Sequence, residues 1–246
     1  MNTGSSRRLW VLSVAACAAV ATLVFSTRSI AAPATEKPMK IGIIGTGQIG
    51  GALAEHWAKA GHELLISSRH PDALKPLAAK LGARVRVGTP KEAAAFGDVV
   101  LISVPYKALP QVGKDYAPEL AGKIVLDTGN PYPQRDGDMA LKAREQGTGV
   151  ASKSFLPGVK LVRAFNAINV GDLRKEGHRS GTPIAIPLAG DDPGALAVAS
   201  QLVRDAGFEP VVVGDLSTAR KFDVNSSVYV RLMSAAELRK ALGLTQ

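Results

Sequence analysis

The sequence predicts an α/β fold in which a doubly wound, mostly parallel sheet is followed by a small C-terminal extension and a terminal helix. From residue 40 onward, short apolar segments alternate with amphipathic ones, the order expected when crossover helices join parallel strands. Hydrophobic residues make up 46% of the chain and aromatic residues only 5%. The core is therefore expected to be aliphatic, as in parallel sheets, and 246 residues suffice for one such domain and an appendage.

Strands and helices are predicted in a regular order along the chain. Runs of aliphatic residues predict strands at 41–44, 64–66, 85–87, 98–104, 123–127, 161–165, 184–189 and 210–213. Helical spacing and composition predict helices at 51–60, 71–81, 91–96, 109–116, 139–146, 193–206 and 226–242. Residues 128–149, rich in Gly, Pro, Asp and Gln, are expected to be mostly loop. The main domain is thus predicted to span residues 39–222, followed by a helical segment at 223–246.

A glycine-rich hexapeptide, Gly45–Gly50, directly follows the first predicted strand and has the pattern Gly-x-Gly-x-x-Gly. In this context Gly45 permits a tight turn, Gly47 lets a pyrophosphate approach the backbone, and Gly50 lets the next helix pack closely. The helix N-terminus adds free N–H donors and partial positive charge. The segment therefore predicts a Rossmann-type dinucleotide site, and a glycine turn without a ligand is the alternative.

The end of the second predicted strand indicates which dinucleotide binds. NAD-selective sites place Asp or Glu there, about 20 residues after the first glycine, to accept from the ribose 2′-hydroxyl. This chain has Ser67, Ser68 and Arg69, while Glu63 lies at the opposite end of the strand. Hydroxyls and a guanidinium suit a 2′-phosphate, because Arg makes charge-assisted, bidentate bonds to it. We therefore expect NADP as the cofactor; a solvated Arg69 is the alternative.

Residues 1–34 have the pattern of an export signal and are excluded from the predicted fold. Two arginines precede an apolar stretch at residues 9–25, and small residues before Thr35 are typical of a cleavage site. We expect cleavage near Thr35 and a periplasmic location. Three alternatives stay open: a twin-arginine signal, a retained membrane anchor at residues 9–25, and a lipoprotein modified at Cys17.

Composition narrows the classes of partner. The net charge is +9, from 30 basic and 21 acidic residues, and three of the basic residues precede residue 35. The other charges are scattered without a basic helix, which argues against nucleic acid and suits anionic cofactors. Cys17 is the only cysteine, so no disulfide is expected in the domain. The four histidines are expected at the surface; they lack metal-ligand spacing, and no metal site is predicted.

Polar side chains follow three of the predicted strands. These segments are residues 103–106 at the end of the fourth strand, 127–132 at the end of the fifth and 165–169 at the end of the sixth. Ligands of open α/β sheets bind outside the carboxyl ends of the strands, so the three loops are expected to converge beyond the glycine turn. Asp127 is expected to form a turn rather than to orient a substrate. Tyr106 either stacks on a ligand ring or packs within its loop.

These motifs together resemble the NADP oxidoreductases that depend on the deazaflavin coenzyme F420, a family whose nucleotide domain is similar to that of the metalloreductases of eukaryotic membranes. The resemblance covers about residues 39–222. It rests on the segments Ile43–Gly50, Ser67–Arg69, Ser103–Pro105, Ala189–Asp192, Gly207–Pro210 and Gly214–Arg220. In that family an apolar C-terminal ending helps to shape the second-substrate cleft. After Arg220 this chain departs from that ending.

The resemblance implies roles for individual residues. The pyrophosphate would be held by Thr46, Gly47, Gln48 and Ile49, and the 2′-phosphate by Ser68 and Arg69. The nicotinamide side would be lined by Ser103, Val104, Pro105 and Ala108. The ring pocket would be closed by Asn166 and Ala167. Hydride transfer between stacked rings needs orientation and exclusion of water more than an acid–base group. No catalytic residue is therefore assigned.

The predicted function is that of an NADP-dependent oxidoreductase that exchanges hydride with a small redox partner, either flavin-like (a deazaflavin) or of another kind. One alternative is a dehydrogenase or reductase of a small hydroxy acid or imine, although such families normally have a long helical C-terminal domain. A second alternative is a non-catalytic NADP-binding sensor. A homodimer is left open, and membrane contact is expected only through an uncleaved N-terminal segment.

Overall fold

The computed structural model describes Met1 and residues 37–244. The predicted leader, with its cleavage site and the alternative anchor at residues 9–25, therefore lies outside the described residues apart from Met1. Within residues 37–244, no helix combines the length and the hydrophobicity that crossing a membrane requires.

The described part of the chain forms one eight-stranded sheet. Its strands are β1 (Lys40–Ile44), β2 (Glu63–Ser67), β3 (Val85–Gly88), β4 (Val99–Ile102), β5 (Ile124–Asp127), β6 (Lys160–Arg163), β7 (Ala185–Gly190) and β8 (Glu209–Gly214). The order across the sheet is β3-β2-β1-β4-β5-β6-β7-β8. Strands β1 to β6 are parallel, whereas β7 runs antiparallel to β6 and parallel to β8. The strand order reverses between β1 and β4, and a ligand crevice is expected at such a switch point.

Helices flank both faces of this sheet, so the predicted α/β fold class is confirmed. They are α1 (Gln48–Lys59), α2 (Lys75–Leu81), α3 (Pro90–Phe96), α4 (Leu109–Asp115), α5 (Ala117–Leu120), α6 (Pro133–Asp136), α7 (Asp138–Gln146), α8 (Thr148–Phe155), α9 (Val170–Glu176), α10 (Pro193–Asp205) and α11 (Ala235–Leu242). Short 3₁₀ turns lie at Pro71–Leu74, Tyr106–Ala108 and Leu216–Lys221.

The core has a layer on each face of the sheet. On one face α1 and α10 pack around Trp57, which is fully buried and donates from its indole nitrogen to the Leu202 carbonyl oxygen at 2.9 Å. On the other face α3 lies directly on β1: a Cβ added at Gly42 would lie 1.9 Å from the carbonyl oxygen of Ala93. This close approach explains why the first strand carries a glycine between two isoleucines.

Four helices were not predicted from the sequence, and one of them, α5, directly follows the predicted helix at 109–116. Helices α6 and α8 lie within or just after the segment expected to be mostly loop, and α9 follows β6. The boundary between α7 and α8 is Gly147, whose φ of +89° ends one helix and starts the next. Helix α9 begins at Asn169, whose side chain accepts from the backbone N–H of Asp172. Each of these helices is too short to show a periodic apolar pattern, and among α6, α8 and α9 only α9 has a side-chain N-cap.

The prediction of a terminal helix from residue 226 was wrong in its start, because α11 begins at Ala235. Ser234 and Glu237 form a capping box, the local signal that starts the helix. Val230 has a φ of +51°, a left-handed conformation that no α-helix contains. Residues 223–234 are instead irregular, and Val228 within them packs into the cluster around β7 and β8.

Candidate active site

The three glycines of the turn after β1 have different steric surroundings. Gly45 has a φ of +94°, and a Cβ added there would lie 2.4 Å from the Ser103 carbonyl oxygen. A Cβ added at Gly50 would lie 2.4 Å from the Gly45 carbonyl oxygen, so α1 packs directly against the turn. At Gly47 an added Cβ would meet no atom of the described residues within 4 Å. Folding therefore requires the first and third glycines, whereas Gly47 leaves open space in front of the turn.

The N-terminus of α1 faces that open space. Its N-cap, Gly47, has no side chain, and no acidic side chain lies in the first turn of this described helix. The first N–H groups of a helix lack partners within the helix, and its dipole adds partial positive charge. An uncapped helix start beside an unfilled backbone surface fits a bound pyrophosphate.

Ser67, at the end of β2, is part of the framework rather than of the cavity surface. It is fully buried, and its hydroxyl donates to the Ile43 carbonyl oxygen at 2.7 Å. Its own carbonyl oxygen accepts from the N–H groups of Gly45 (3.1 Å) and Thr46 (2.9 Å). The expectation that Ser67 reaches the cofactor is therefore corrected: it holds the glycine turn against β2.

A first cavity of about 640 Å³ lies along this turn. Its wall includes Gly45, Thr46, Gly47, Ser68, Arg69, Ser103, Val104, Pro105, Lys107, Ala108, Gln111, Asp115 and Arg135. Three of these side chains are cationic and one, Asp115, is a carboxylate, so the wall carries net positive charge. Arg69 is exposed and makes no ion pair with the described residues, which leaves its guanidinium free to bind a phosphate.

A second cavity of about 540 Å³ continues from the first. The two share Gly47, residues 103–105 and Arg135. The second is lined by the loops after β4, β5 and β6, as the strand-end rule predicts, and by residues 229–230 of the C-terminal segment. Arg135 is the one ionised side chain on its described wall, which otherwise presents amides, hydroxyls and apolar groups. A dinucleotide along the turn would thus end where a second ring can lie.

A hydrogen-bonded group of three side chains forms one wall of the second cavity. The phenol oxygens of Tyr132 and Tyr229 lie 2.5 Å apart. Asn130 donates from Nδ2 to the Tyr229 phenol oxygen at 3.3 Å and to the Asn166 carbonyl oxygen at 2.8 Å. Burial, together with the bond to Tyr132, raises the pKa of Tyr229 above its usual range. The phenol therefore stays protonated at neutral pH. We call Asn130, Tyr132 and Tyr229 the phenol wall.

A buried ion network lies behind the loops that carry the phenol wall. Arg163 has no exposed surface and pairs with Asp127 at 2.7 Å and with Asp223 at 3.3 Å. Asp223 also accepts from the Thr148 backbone N–H at 3.1 Å and from the Asn166 side chain at 3.4 Å. The network ties the ends of β5 and β6 to the start of the C-terminal segment.

The side chains of Asp127 and Tyr106 are buried and hydrogen-bonded to other parts of the protein. Asp127 is 1% exposed and accepts from the Gly129 N–H at 2.8 Å, the turn role expected for it. Tyr106 is buried and its phenol lies 3.1 Å from the Ser152 hydroxyl. Burial, followed by the charge of Asp127, raises the pKa of Tyr106. Of the two readings of Tyr106, packing within its loop is the one observed.

Two of the histidines expected at the surface are in fact buried. His56 lies 2.8 Å from the Leu173 carbonyl oxygen through Nε2. His62 accepts from the Met39 N–H through Nδ1 and contacts Asp205 at 3.0 Å through Nε2. Both satisfy polar groups between elements, and neither lines a cavity. Among residues 37–244, no group of three His, Cys, Asp or Glu side chains has a metal-binding arrangement.

Comparison with known proteins agrees with this geometry. A family model described as NADP oxidoreductase, coenzyme F420-dependent, matches residues 40–131, from β1 to the loop after β5. The F420-dependent NADP reductase of Methanothermobacter thermautotrophicus is 28% identical over 217 residues, which cover 82% of this chain and 93% of that protein. The metalloreductase STEAP3 of Rattus norvegicus is 29% identical over 225 residues, 90% of this chain but 42% of that longer protein.

A solved structure shows the same fold. A hypothetical protein from Sinorhizobium meliloti superposes with a TM-score of 0.70 and 25% sequence identity, covering 80% of this chain and 96% of the other. These comparisons confirm the predicted resemblance to the coenzyme F420-dependent NADP oxidoreductases. The protein is an NADP-dependent oxidoreductase, and its cofactor is NADP.

In this oxidoreductase, the two cavities bring together most of the residues predicted to bind the cofactor. The first is lined by Gly45, Thr46, Gly47, Ser68, Arg69, Ser103, Val104, Pro105 and Ala108, and the second also by Gln48, Ile49 and Asn166. Three predicted residues line neither cavity: Gly50, Ser67 and Ala167. Ala167 is buried behind the wall, where its carbonyl oxygen accepts from the Val230 N–H at 3.0 Å.

Sequence reasoning missed several residues that line this oxidoreductase's cavities. Arg135 lies where the two cavities meet, held by Asp136 at 2.8 Å, in a helix that was expected to be loop. Tyr132 was noted within a converging loop but received no role. Tyr229 could not be placed, because the prediction put it inside a helix. No motif in the sequence joins these positions.

Proposed function

We propose that the protein uses NADPH to reduce a planar, conjugated acceptor of the flavin type, a flavin or a deazaflavin, bound in the second cavity. The observation that carries this proposal is the continuity of the two cavities at Gly47 and residues 103–105. Ring-to-ring hydride transfer requires two adjoining sites whose reactive ends meet, and little covalent chemistry from the protein.

The lining of the second cavity suits such a ring. Apolar side chains, among them Ile49, Ile168 and Val170, can cover the faces of a ring. Amides and phenols, including Asn130 and Tyr229, can bind its polar edge. A volume of about 540 Å³ lies within the range of small-molecule sites.

Each group of residues has a defined task in this proposal. The glycine turn and the start of α1 hold the pyrophosphate, and Ser68 with Arg69 holds the 2′-phosphate. Residues 103–105 place the nicotinamide at the junction of the cavities and keep water away from it. NADPH supplies the hydride when it is bound there. The phenol wall orients the acceptor.

Reduction of a small keto acid to a hydroxy acid, or of an imine to an amine, is less well supported by the same cavity. Those reactions add a proton to the substrate oxygen or nitrogen, so they benefit from a positioned acid. The described wall contains no His, Lys, Asp or Glu, and the raised pKa of Tyr229 makes its phenol a poor proton donor, although it can still donate a hydrogen bond. Asp127, at the end of β5, is buried and paired with Arg163 at 2.7 Å, so it does not supply such an acid.

A panel of acceptors tests the proposal. Purified full chain is mixed with NADPH and, in turn, with riboflavin, a deazaflavin, menadione, a cyclic imine and a keto acid, and loss of reduced nicotinamide absorbance is followed. We expect turnover with the flavin-type acceptors. Turnover confined to the imine or the keto acid would contradict the proposal, and tight NADPH binding without any turnover would favour the sensor alternative.

We also propose that residues 1–34 direct export to the periplasm. The support is the order of two arginines, an apolar stretch at 9–25 and small residues before Thr35. Cell fractionation followed by N-terminal sequencing tests it. A chain that begins near Thr35 in the periplasmic fraction is the expected result, whereas an uncleaved chain in the membrane fraction would support the anchor.

A further inference from the structure

The phenol wall has one hydrogen-bond donor to spare. Tyr132 and Tyr229 carry two phenolic hydrogens, and the bond between their oxygens uses one of them. In the contact with Asn130 the phenol oxygen of Tyr229 is the acceptor, so this contact uses neither phenolic hydrogen. The second phenolic hydrogen has no acceptor among the described residues. Because both tyrosines line the second cavity, this donor is available to a molecule bound there.

The backbone beside this donor is held in an uncommon conformation. Val230, next to Tyr229, has a φ of +51°, and Phe165, next to Asn166, has a φ of +58°. Left-handed φ values are costly for such residues and are concentrated at functional sites. The two segments are joined by the bond from the Val230 N–H to the Ala167 carbonyl oxygen at 3.0 Å. The fold thus holds the phenol wall in place at some cost in strain.

We propose that the Tyr132–Tyr229 pair donates a hydrogen bond to the acceptor atom on which negative charge collects during reduction. The inference rests on the proposed flavin-type acceptor, and it gives the two tyrosines a role in selecting which acceptors are reduced. It favours neutral conjugated rings that become anions on accepting hydride, and it gives no advantage to a cationic ring that becomes neutral.

The chemistry behind this role balances as follows. A neutral acceptor that takes up a hydride gains one hydrogen nucleus with two electrons and therefore carries one negative charge. A C–H bond of the reduced nicotinamide breaks and leaves NADP⁺, while a new bond to hydrogen forms on the acceptor. Water supplies the proton that later neutralises the product. Burial raises the pKa of Tyr229, so its phenol stabilises the charge by hydrogen bonding and does not give up its proton.

Two planar acceptors of opposite charge change separate this role from a structural one. Riboflavin is neutral and becomes an anion, whereas N-methylacridinium is a cation and becomes neutral. Anaerobic single-turnover reduction of each by the NADPH-loaded full chain is measured and corrected for the reaction in solution. The variants are Tyr132→Phe, Tyr229→Phe and the double variant, which remove the hydroxyl groups and keep the rings.

We expect the double variant to reduce riboflavin about 10-fold to about 100-fold more slowly, the range for one lost hydrogen bond to a charged group. Reduction of N-methylacridinium should change by less than about 2-fold, and the Kd for NADPH should not change, because neither involves that hydrogen bond. The single variant that loses the donating phenol should show most of the effect.

An equal loss with both acceptors, or no loss with either, would overturn the inference and leave the proposed function intact. A wild-type chain that reduces neither acceptor above the solution rate would overturn the proposed function and the inference with it. If the double variant did not fold, the single variants would carry the same comparison. The absence of a riboflavin-selective loss in both single variants would then overturn the inference.

Discussion

Replacing Gly47 with alanine should separate cofactor binding from folding. The added Cβ meets no described atom within 4 Å, and φ at this position is −88°, outside the left-handed region. The free energy of unfolding should therefore stay within about 0.5 kcal/mol of the wild type. The same Cβ projects into the space that the pyrophosphate is proposed to occupy at the start of α1.

The magnitude of the binding loss follows from the bonds that would be displaced. One or two charge-assisted bonds between backbone N–H groups and phosphate oxygens are worth about 2–4 kcal/mol together. The Kd for NADPH should therefore rise about 30-fold to about 1000-fold. Isothermal titration calorimetry measures that change, and urea unfolding measures stability.

Two other glycines of the same helix provide controls. At Gly51 the nearest atom to an added Cβ, on the Arg174 side chain, is 3.9 Å away, so Gly51→Ala should bind NADPH normally and gain about 1 kcal/mol in stability. At Gly50 the Cβ would lie 2.4 Å from a backbone oxygen, so Gly50→Ala should lose about 1–3 kcal/mol. Unchanged NADPH affinity in Gly47→Ala would refute the placement of the pyrophosphate at this turn.

Three other changes have defined outcomes. Arg69→Ala should weaken the binding of NADPH by about 1–3 kcal/mol and have little effect on the binding of NADH. Competition titrations measure both affinities, with Arg204→Ala as a matched surface control. Equal losses of affinity for both cofactors would rule out the phosphate role. Arg163→Met should lower the free energy of unfolding in urea by about 3–5 kcal/mol, because it leaves two buried carboxylates without their cation, and a loss under about 1 kcal/mol would contradict that account. Burial lowers the pKa of His56, so the unfolded chain takes up a proton below about pH 6.5 that the folded chain resists, and stability should fall as the pH drops from 7 to 5. His56→Gln keeps a donor for the Leu173 carbonyl oxygen and should show a shallower fall in the same urea titrations; an unchanged slope would assign the pH dependence to other groups.

The turn after β1 could be predicted from sequence because its geometry depends on neighbours in the chain. The apolar run of β1, the spacing of the glycines and the start of α1 lie within about twenty residues, and each has a local steric reason. The same holds for the clear strands β4 and β5. Ser67 shows where local sequence patterns mislead. Its position predicted contact with the cofactor, but its side chain is fully buried and hydrogen-bonded to the Ile43 carbonyl oxygen of β1.

The acceptor side of the site could not be predicted because its residues meet only after the sheet has assembled. Tyr132 and Tyr229 are 97 positions apart and come together because the segment after Asp223 folds back across the ends of β5 and β6. The apolar spacing around Val230 predicted a helix, but the left-handed φ of this residue is incompatible with one. Periodicity and motifs report contacts between neighbours in the chain, whereas strand order and a buried ion network determine which distant side chains share a cavity. The cofactor could therefore be predicted from the order of residues, while the surface that meets its redox partner required the folded chain.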